Sequence, residues 1–183
     1  IRERITLVGD LRVPSKTKFP KIALKITKGW DGIAEASTDY VRANLRITEE
    51  ISSLRFGALI LSLQGSQTFG EVPLFLKQNA FGTRQDWNIA TMNTFETVYP
   101  GEFYHDRQAA FFVRYEIPAI RTKAKWNEPQ FIVHHGIGYG DFKNKQEHNI
   151  AFSSMDKGLY EAGLILSGIL KVNFSSIGIG VFY

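Results

Sequence analysis

One stretch of the chain decides the fold: Phe131-Ile132-Val133-His134-His135-Gly136-Ile137-Gly138-Tyr139-Gly140. Bulky residues stand at every second position, and histidine or glycine stands at most of the positions between them. Successive side chains of a β-strand point to opposite faces, so this alternation predicts a strand with one bulky face and one face poor in bulk.

The same period of two recurs along the chain and predicts about nine strands. Apolar residues take alternate positions in residues 21–27, 41–48, 108–117, 130–140, 160–167 and 176–183. Residues 1–11, 53–68 and 87–99 are predicted to be strands with less distinct faces. Most of these segments approach the roughly 9–11 residues that a tilted strand needs to cross a bilayer.

Composition excludes several other classes of protein. The chain has 183 residues, of which 44% are hydrophobic and 22% charged, a balance that excludes intrinsic disorder. It has no cysteine, which excludes disulfides, a thiolate nucleophile and sulfur-ligated zinc. The net charge is only +4 and the basic residues are spread out, so nucleic acid is not a predicted partner. The most apolar run, residues 58–63, is far too short for a transmembrane helix.

Glycines and aromatic residues favour a membrane barrel over a soluble β-sandwich, which is the alternative. Glycines repeat on the polar face of the predicted strands, which suits a crowded interior better than a solvated exterior. Aromatic residues gather towards strand ends, as in the interfacial girdles of outer-membrane barrels: Trp30, Tyr40, Tyr99, Phe103, Tyr104, Tyr115, Tyr139, Tyr160 and Tyr183. The predicted fold class is therefore all-β, an antiparallel transmembrane β-barrel or the C-terminal part of one. A mean hydropathy near zero fits this fold, since only every second residue would meet lipid.

Short motifs along the chain resemble those of a known family. They are Phe19-Pro20-Lys21-Ile22 with Thr27-Lys28-Gly29, Gly70-Glu71-Val72-Pro73 with Leu76, Phe103-Tyr104-His105-Asp106-Arg107, Gly158-Leu159-Tyr160-Glu161-Ala162-Gly163-Leu164, and Gly178-Ile179-Gly180-Val181-Phe182-Tyr183. In this order they resemble the outer-membrane β-barrel family of unknown function from Bacteroidota, which usually follows a carboxypeptidase-regulatory-like domain. The resemblance implies a location in the outer membrane of a Gram-negative cell and implies no defined activity.

The family pattern also sets an expectation for the extent of the chain. The regulatory-like domain and the Arg-Tyr-Gly stretch that closes the family pattern have no counterpart in this sequence. Residues 1–183 are therefore predicted to be a single barrel segment, truncated at both ends.

The sequence offers little for catalysis or for metal binding. His134 and His135 are adjacent, so they point to opposite faces, and no spacing ties Ser153, Ser154 or Ser167 to either of them. The pairs His105-Asp106 and Glu147-His148 lack a third ligand at a matching spacing. No catalytic residue, metal or cofactor is predicted. The glycines at 136, 138 and 140 are interpreted as an inner wall that another side chain approaches closely.

Charged residues on the polar face are the candidate site. If that face lines a lumen, the inward charges are Lys21, Lys25, Arg42, Arg46, Arg114, Glu116 and Glu161, joined by Arg2, Arg4 and Asp10. One interpretation is a set of cross-strand charge pairs and hydrogen bonds that fill a small barrel. The other is a basic lumen that favours anionic solutes or holds an acidic segment of a partner. His135, on the lipid face by parity, fits neither.

The predicted function is structural, transport-related or part of envelope assembly, with the chain as a subunit of a larger complex. The predicted partners are the lipid bilayer, lipopolysaccharide and other outer-membrane proteins or lipoproteins. The alternatives are a membrane-embedded enzyme of the lipase or acyltransferase type and a soluble β-barrel that binds an apolar ligand. The lengths of the predicted connections do not give consistent sides of the membrane, so the sequence leaves sidedness open.

Overall fold

Seven antiparallel strands form one sheet, which is the main element of the fold. The computed structural model describes residues 5–8, 11–14, 19–32, 38–53, 55–70, 72–80, 82–85, 90–120, 122, 126–143, 152–172 and 175–183. The strands are β1 (Ile5–Val8), β2 (Leu11–Pro14), β3 (Lys21–Gly29), β4 (Tyr40–Ser53), β5 (Gly57–Phe69), β6 (Gln78–Asn79), β7 (Tyr104–His105), β8 (Arg107–Glu116), β9 (Gln130–Asp141), β10 (Leu159–Val172) and β11 (Ser175–Phe182). A short 3₁₀ turn spans Leu74–Leu76. The all-β, antiparallel part of the predicted fold class is thereby confirmed.

The main sheet is a meander in which each strand pairs with the next long strand of the chain. Its order is β3-β4-β5-β8-β9-β10-β11. β1 pairs with β2, and β6 pairs with β7, in two separate two-stranded sheets. Among the described strands, β3 and β11 are the edges of the main sheet and do not pair with each other, so this sheet is open.

The connections of the meander fall into two groups at opposite ends of the sheet. Residues 30–39, 70–106 and 142–158 connect strands at one end. Residues 54–56, 117–129 and 173–174 connect them at the other end. The two longest connections, 70–106 and 142–158, therefore lie at one end and the two shortest at the other. The intermediate pair does not follow this rule, since 117–129 is longer than 30–39.

One predicted strand, over residues 87–99, is wrong. Residues 90–99 form turns and coil with an isolated bridge at Phe95, so no strand spans 87–99. Of the predicted strand 1–11, the described residues 5–8 form β1, which pairs with β2 in a hairpin. The segment 53–68 is confirmed as β5 with shifted bounds.

The two faces of the sheet differ in composition as the alternation predicts. The apolar face carries the bulky residues of each strand, such as Leu24, Leu63, Phe111, Val133 and Leu164, which are all at least 38% exposed. The polar face carries the residues between them, and its central part is buried. Phe112, next to Phe111 in sequence, is 0% exposed. The core of this molecule therefore lies on the polar face.

Candidate functional site

A long connection folds back over the polar face of the sheet. We call the described residues between 72 and 105, which belong to the connection from β5 to β8, the covering segment. Gln78 Nε2 donates to Asn44 Oδ1 of β4 at 3.0 Å, and Gln64 Nε2 of β5 donates to the Asn93 carbonyl at 3.4 Å. These bonds connect side chains of the sheet to two separate parts of the covering segment.

Hydrophobic contacts hold the middle of the covering segment against β8. Phe95 and Val98 form a buried cluster with Ala110 and Phe112 of β8. The ring centroids of Phe95 and Phe112 lie 4.9 Å apart in a tilted arrangement. Full burial of an aromatic side chain stabilises the fold by a few kcal/mol, on the order of 1.5–3 relative to exposure. This cluster therefore stabilises the contact between the covering segment and the main sheet.

The glycines of β9 make room for this packing. A Cβ atom at Gly138 would lie 2.7 Å from Phe95 Cζ, and one at Gly136 would lie 3.0 Å from Phe95 Cε1. A Cβ atom at Gly140 would overlap the imidazole of His105. The interpretation of these glycines as a wall that other side chains approach closely is confirmed.

A buried carboxylate joins β10 to the covering segment. Glu161 is 1% exposed, and its Oε2 accepts hydrogen bonds from the backbone N–H and the hydroxyl of Thr97, both at 2.7 Å. Glu161 lies opposite Gly136 in the ladder between β10 and β9. Glu161 Oε1 lies 3.8 Å from His134 Nε2, beyond hydrogen-bonding distance. Glu161 is thus an anchor of the covering segment in this structure.

A second buried carboxylate organises the covering segment from within. Glu96 accepts hydrogen bonds from the Thr83 hydroxyl at 2.6 Å, the Thr91 N–H at 2.9 Å and the Thr94 hydroxyl at 2.9 Å. Sequence reasoning missed Glu96 and Thr97 because residues 87–99 were taken for a strand. The available signal was that the segment lies between Pro73 and Pro100-Gly101 and lacks a clear alternation.

His105 lies at the end of the covering segment, in β7. It is 0% exposed and stacks on Phe103, with ring centroids 6.5 Å apart. Burial lowers the pKa of His105 to about 4, against the smaller opposing effect of the Asp106 and Asp141 carboxylates. The imidazole is therefore neutral at pH 7 and packs with its ring stacked on that of Phe103.

A cavity opens beside the covering segment, over the polar face of β3, β4 and β5. Its volume is about 430 Å³. Lys25, Arg42 and Arg46 line it together with polar side chains that include Asn44, Gln64 and Gln78. On the opposite side it is bounded by Ala80, Phe95 and Met155.

The predicted lumen charges do not form one group. Lys25, Arg42 and Arg46 meet at the cavity, and Lys21 is exposed near the start of β3. Arg114 Nε donates to Glu116 Oε1 of the same strand at 3.0 Å, and Glu161 is the anchor described above. Arg2, Arg4 and Asp10 lie outside the described residues. The structure therefore brings three of the basic candidates together and places the two acidic ones elsewhere.

The described residues contain no group of three or more His, Cys, Asp or Glu side chains that could hold a metal ion. Glu147-His148 lies outside them. His134 is buried on the polar face, whereas His135 is half-buried on the apolar face, so the two imidazoles point apart as predicted. A membrane-spanning helix is not found in the described ranges.

Comparison with known proteins adds nothing to this geometry. No family model, no curated protein and no solved structure matches the chain. The family resemblance of the motifs stays a prediction, and the site is interpreted from its own residues.

Proposed function

We propose that this chain forms part of the wall of a transmembrane β-barrel in the outer membrane of a Gram-negative cell. Its role is structural, transport-related or in envelope assembly, and its apolar face contacts bilayer lipid and lipopolysaccharide. The observation that carries the proposal is the inverted placement of the faces: the apolar side chains are exposed, and the polar face is covered.

The apolar face of the main sheet exposes many large hydrophobic side chains, and their contact with water would be unfavourable. On β3 alone, Ile22, Leu24 and Ile26 are 65–68% exposed, and on β11 Ile177, Ile179 and Val181 are 59–74% exposed. Leaving apolar surface in water costs about 25 cal/mol per Å², and contiguous exposed patches of this kind mark a membrane or a partner. A covering of lipid chains accounts for all seven strands at once.

Strand length supports the same proposal. The strands from β3 to β10 in the main sheet have nine to 14 residues, and β11 has eight. A strand that crosses a bilayer at a tilt needs about 9–11 residues. The sheet is therefore tall enough to span the hydrocarbon layer.

Aromatic residues mark the two ends of the apolar face. Exposed aromatic side chains near the end with the long connections are Trp30, Phe69, Tyr139 and Tyr160, and those near the other end are Phe19, Phe56, Tyr115, Trp126 and Phe131. Two such belts fit the headgroup levels of a bilayer. Because outer-membrane barrels have short periplasmic turns and longer outer loops, residues 30–39, 70–106 and 142–158 are assigned to the outer side.

Membrane insertion also requires that the open edges be satisfied. Each unpaired N–H or C=O group of an edge strand costs several kcal/mol when it lies in hydrocarbon, because no water is present to form a hydrogen bond with it. The proposal therefore includes pairing of β3 and β11, either with each other or with further strands. Residues of the covering segment then lie inside, where they narrow any passage along the polar face.

The experiment is extraction and gel mobility of the full-length protein. We expect it to stay with outer-membrane fragments until detergent is added, and to migrate differently on a gel before and after boiling. Full recovery in the aqueous fraction without detergent would contradict membrane insertion. It would favour instead a soluble β-protein that binds an apolar ligand or partner.

A further inference from the structure

The cavity over β3, β4 and β5 carries charge of one sign. Lys25, Arg42 and Arg46 line it, and none of the lining residues in the described ranges is an aspartate or a glutamate. None of these three side chains forms an ion pair with a described carboxylate. Like charges that line one cavity repel one another, and an anion bound among them reduces that repulsion.

Neutral polar groups stand between these cations in two rows across the sheet. In one row, Lys25 lies opposite Asn44, Asn44 opposite Ser66, and Ser66 opposite Gln108. In the next row, Arg46 of β4 lies opposite Gln64 of β5. Amide and hydroxyl groups can donate hydrogen bonds to the oxygen atoms of an anion. The rigid ladder therefore presents donors at fixed positions around the three charges.

Arg42 is held in place with one nitrogen unused. Its Nε donates to Thr68 Oγ1 at 3.4 Å, and its guanidinium lies 5.6 Å from the centre of the Tyr40 ring. Its Nη2 is buried and has no hydrogen-bond partner among the described residues. The guanidinium of Arg42 therefore keeps hydrogen-bonding capacity that its described neighbours do not use.

The opposite side of the cavity is apolar and belongs mostly to the covering segment. Ala80 and Phe95 lie there, together with Met155 from the connection between β9 and β10. A volume of about 430 Å³ falls within the roughly 300–1,000 Å³ typical of small-molecule sites. One side of the site thus suits an anionic group, and the other suits a carbon skeleton.

We infer that this cavity binds a small organic anion whose phosphate or carboxylate group lies between Lys25, Arg42 and Arg46. Arg42 and Arg46 contribute forked donors that suit both phosphate and carboxylate, and Lys25 adds a mobile charge at the mouth. The site lies on the face opposite the exposed apolar surface, so its ligand is a solute and not the headgroup of a bilayer lipid. This inference goes beyond the proposed function and does not depend on what covers the apolar face.

Calorimetric titration of the full-length protein in detergent tests the inference. The probes are inorganic pyrophosphate and citrate, which separate phosphate from carboxylate recognition, with spermidine as a cationic control. We expect one site per chain for at least one anion and none for spermidine. Arg42→Gln and Arg46→Gln should each weaken that binding about tenfold, because a charge-assisted hydrogen bond is lost.

Arg55→Gln is the matched control, since it removes the same charge from the connection between β4 and β5, outside the cavity. Its affinity should stay within about twofold of the wild type. Lys25→Gln and Arg46→Gln alter exposed side chains and test the site even if Arg42→Gln does not fold. The inference is overturned if neither anion binds, or if Arg55→Gln weakens binding as much as Arg46→Gln. Either result leaves the extraction experiment unaffected, so the two proposals fail separately.

Discussion

The two faces of the sheet reverse the usual arrangement of a water-soluble protein. Phe111 and Phe112 are neighbours on β8, yet Phe111 is 38% exposed and Phe112 is fully buried under the covering segment. Glutamine, serine, threonine and glycine dominate the buried positions of β5 and β9, whereas aliphatic and aromatic residues together dominate the exposed ones. Alternate positions along a strand therefore have different tasks in this molecule. One set of side chains packs in the interior, and the other set contacts the surroundings.

The largest expected effect contrasts the two phenylalanines. Phe112→Ala should lower the free energy of unfolding by about 3–5 kcal/mol, because it leaves a cavity against Phe95 and His134. Phe111→Ala leaves no internal cavity and should cost about 1 kcal/mol. Denaturant unfolding of both variants in the same lipid vesicles measures the difference. Equal losses would mean that the polar face is not the core.

A charge on the apolar face should have the next largest effect. Leu63 lies at the middle of β5 and is 45% exposed. In a bilayer, Leu63→Lys should cost about 2–4 kcal/mol, because lysine at the midplane must leave water. Gln67→Lys, on the same face near the end of β5, should cost no more than about 1 kcal/mol. Unfolding in vesicles measures both, and a neutral effect of Leu63→Lys would mean that water, not lipid, covers this face.

The buried histidine at the end of the covering segment predicts a pH dependence. The pKa of His105 is lowered to about 4, so below its unfolded value near 6.5 the unfolded chain takes up the proton first. This contribution to stability is complete above about pH 6.5 and is lost as the pH falls towards 4, by up to about 3 kcal/mol.

Unfolding curves between pH 7 and pH 4 test this sign against His105→Phe, which keeps an aromatic ring and removes the titration. The variant should lose less stability on acidification than the wild type does. Parallel losses in the two proteins would show that His105 does not stay neutral in the folded state.

Much of the sheet could be predicted from the sequence, because period-two alternation reports strand and face together. The faces of residues 130–140 and the role of the three glycines at 136, 138 and 140 followed from that period. The covering segment could not be predicted in the same way. Phe95, Glu96 and Val98 are all buried, which no single face of one strand permits, and the partners of Phe95 and Val98 lie on β8, outside the segment.

The candidate site was predicted only in part for the same reason. Parity placed Lys25, Arg42 and Arg46 on one face, and adjacent strands in register then brought them together at the cavity. Glu161 lies on the predicted polar face, but its hydrogen-bond partner Thr97 could not be predicted, because that residue lies in a segment for which a strand was expected. Local alternation fixes the direction of a side chain, whereas a contact depends on where a long connection returns.

The central claim is that the apolar face meets lipid and the polar face does not. The chain has no cysteine, so a single cysteine carries one fluorescent label, and Lys25 and Ile26 are exposed neighbours on opposite faces of β3. In vesicles with nitroxide-labelled lipid chains, a label at Ile26→Cys should be strongly quenched. A label at Lys25→Cys should be spared by the lipid and quenched by aqueous iodide. The claim would be contradicted if iodide quenched both labels equally and the nitroxide-labelled lipid did not quench the label at Ile26→Cys.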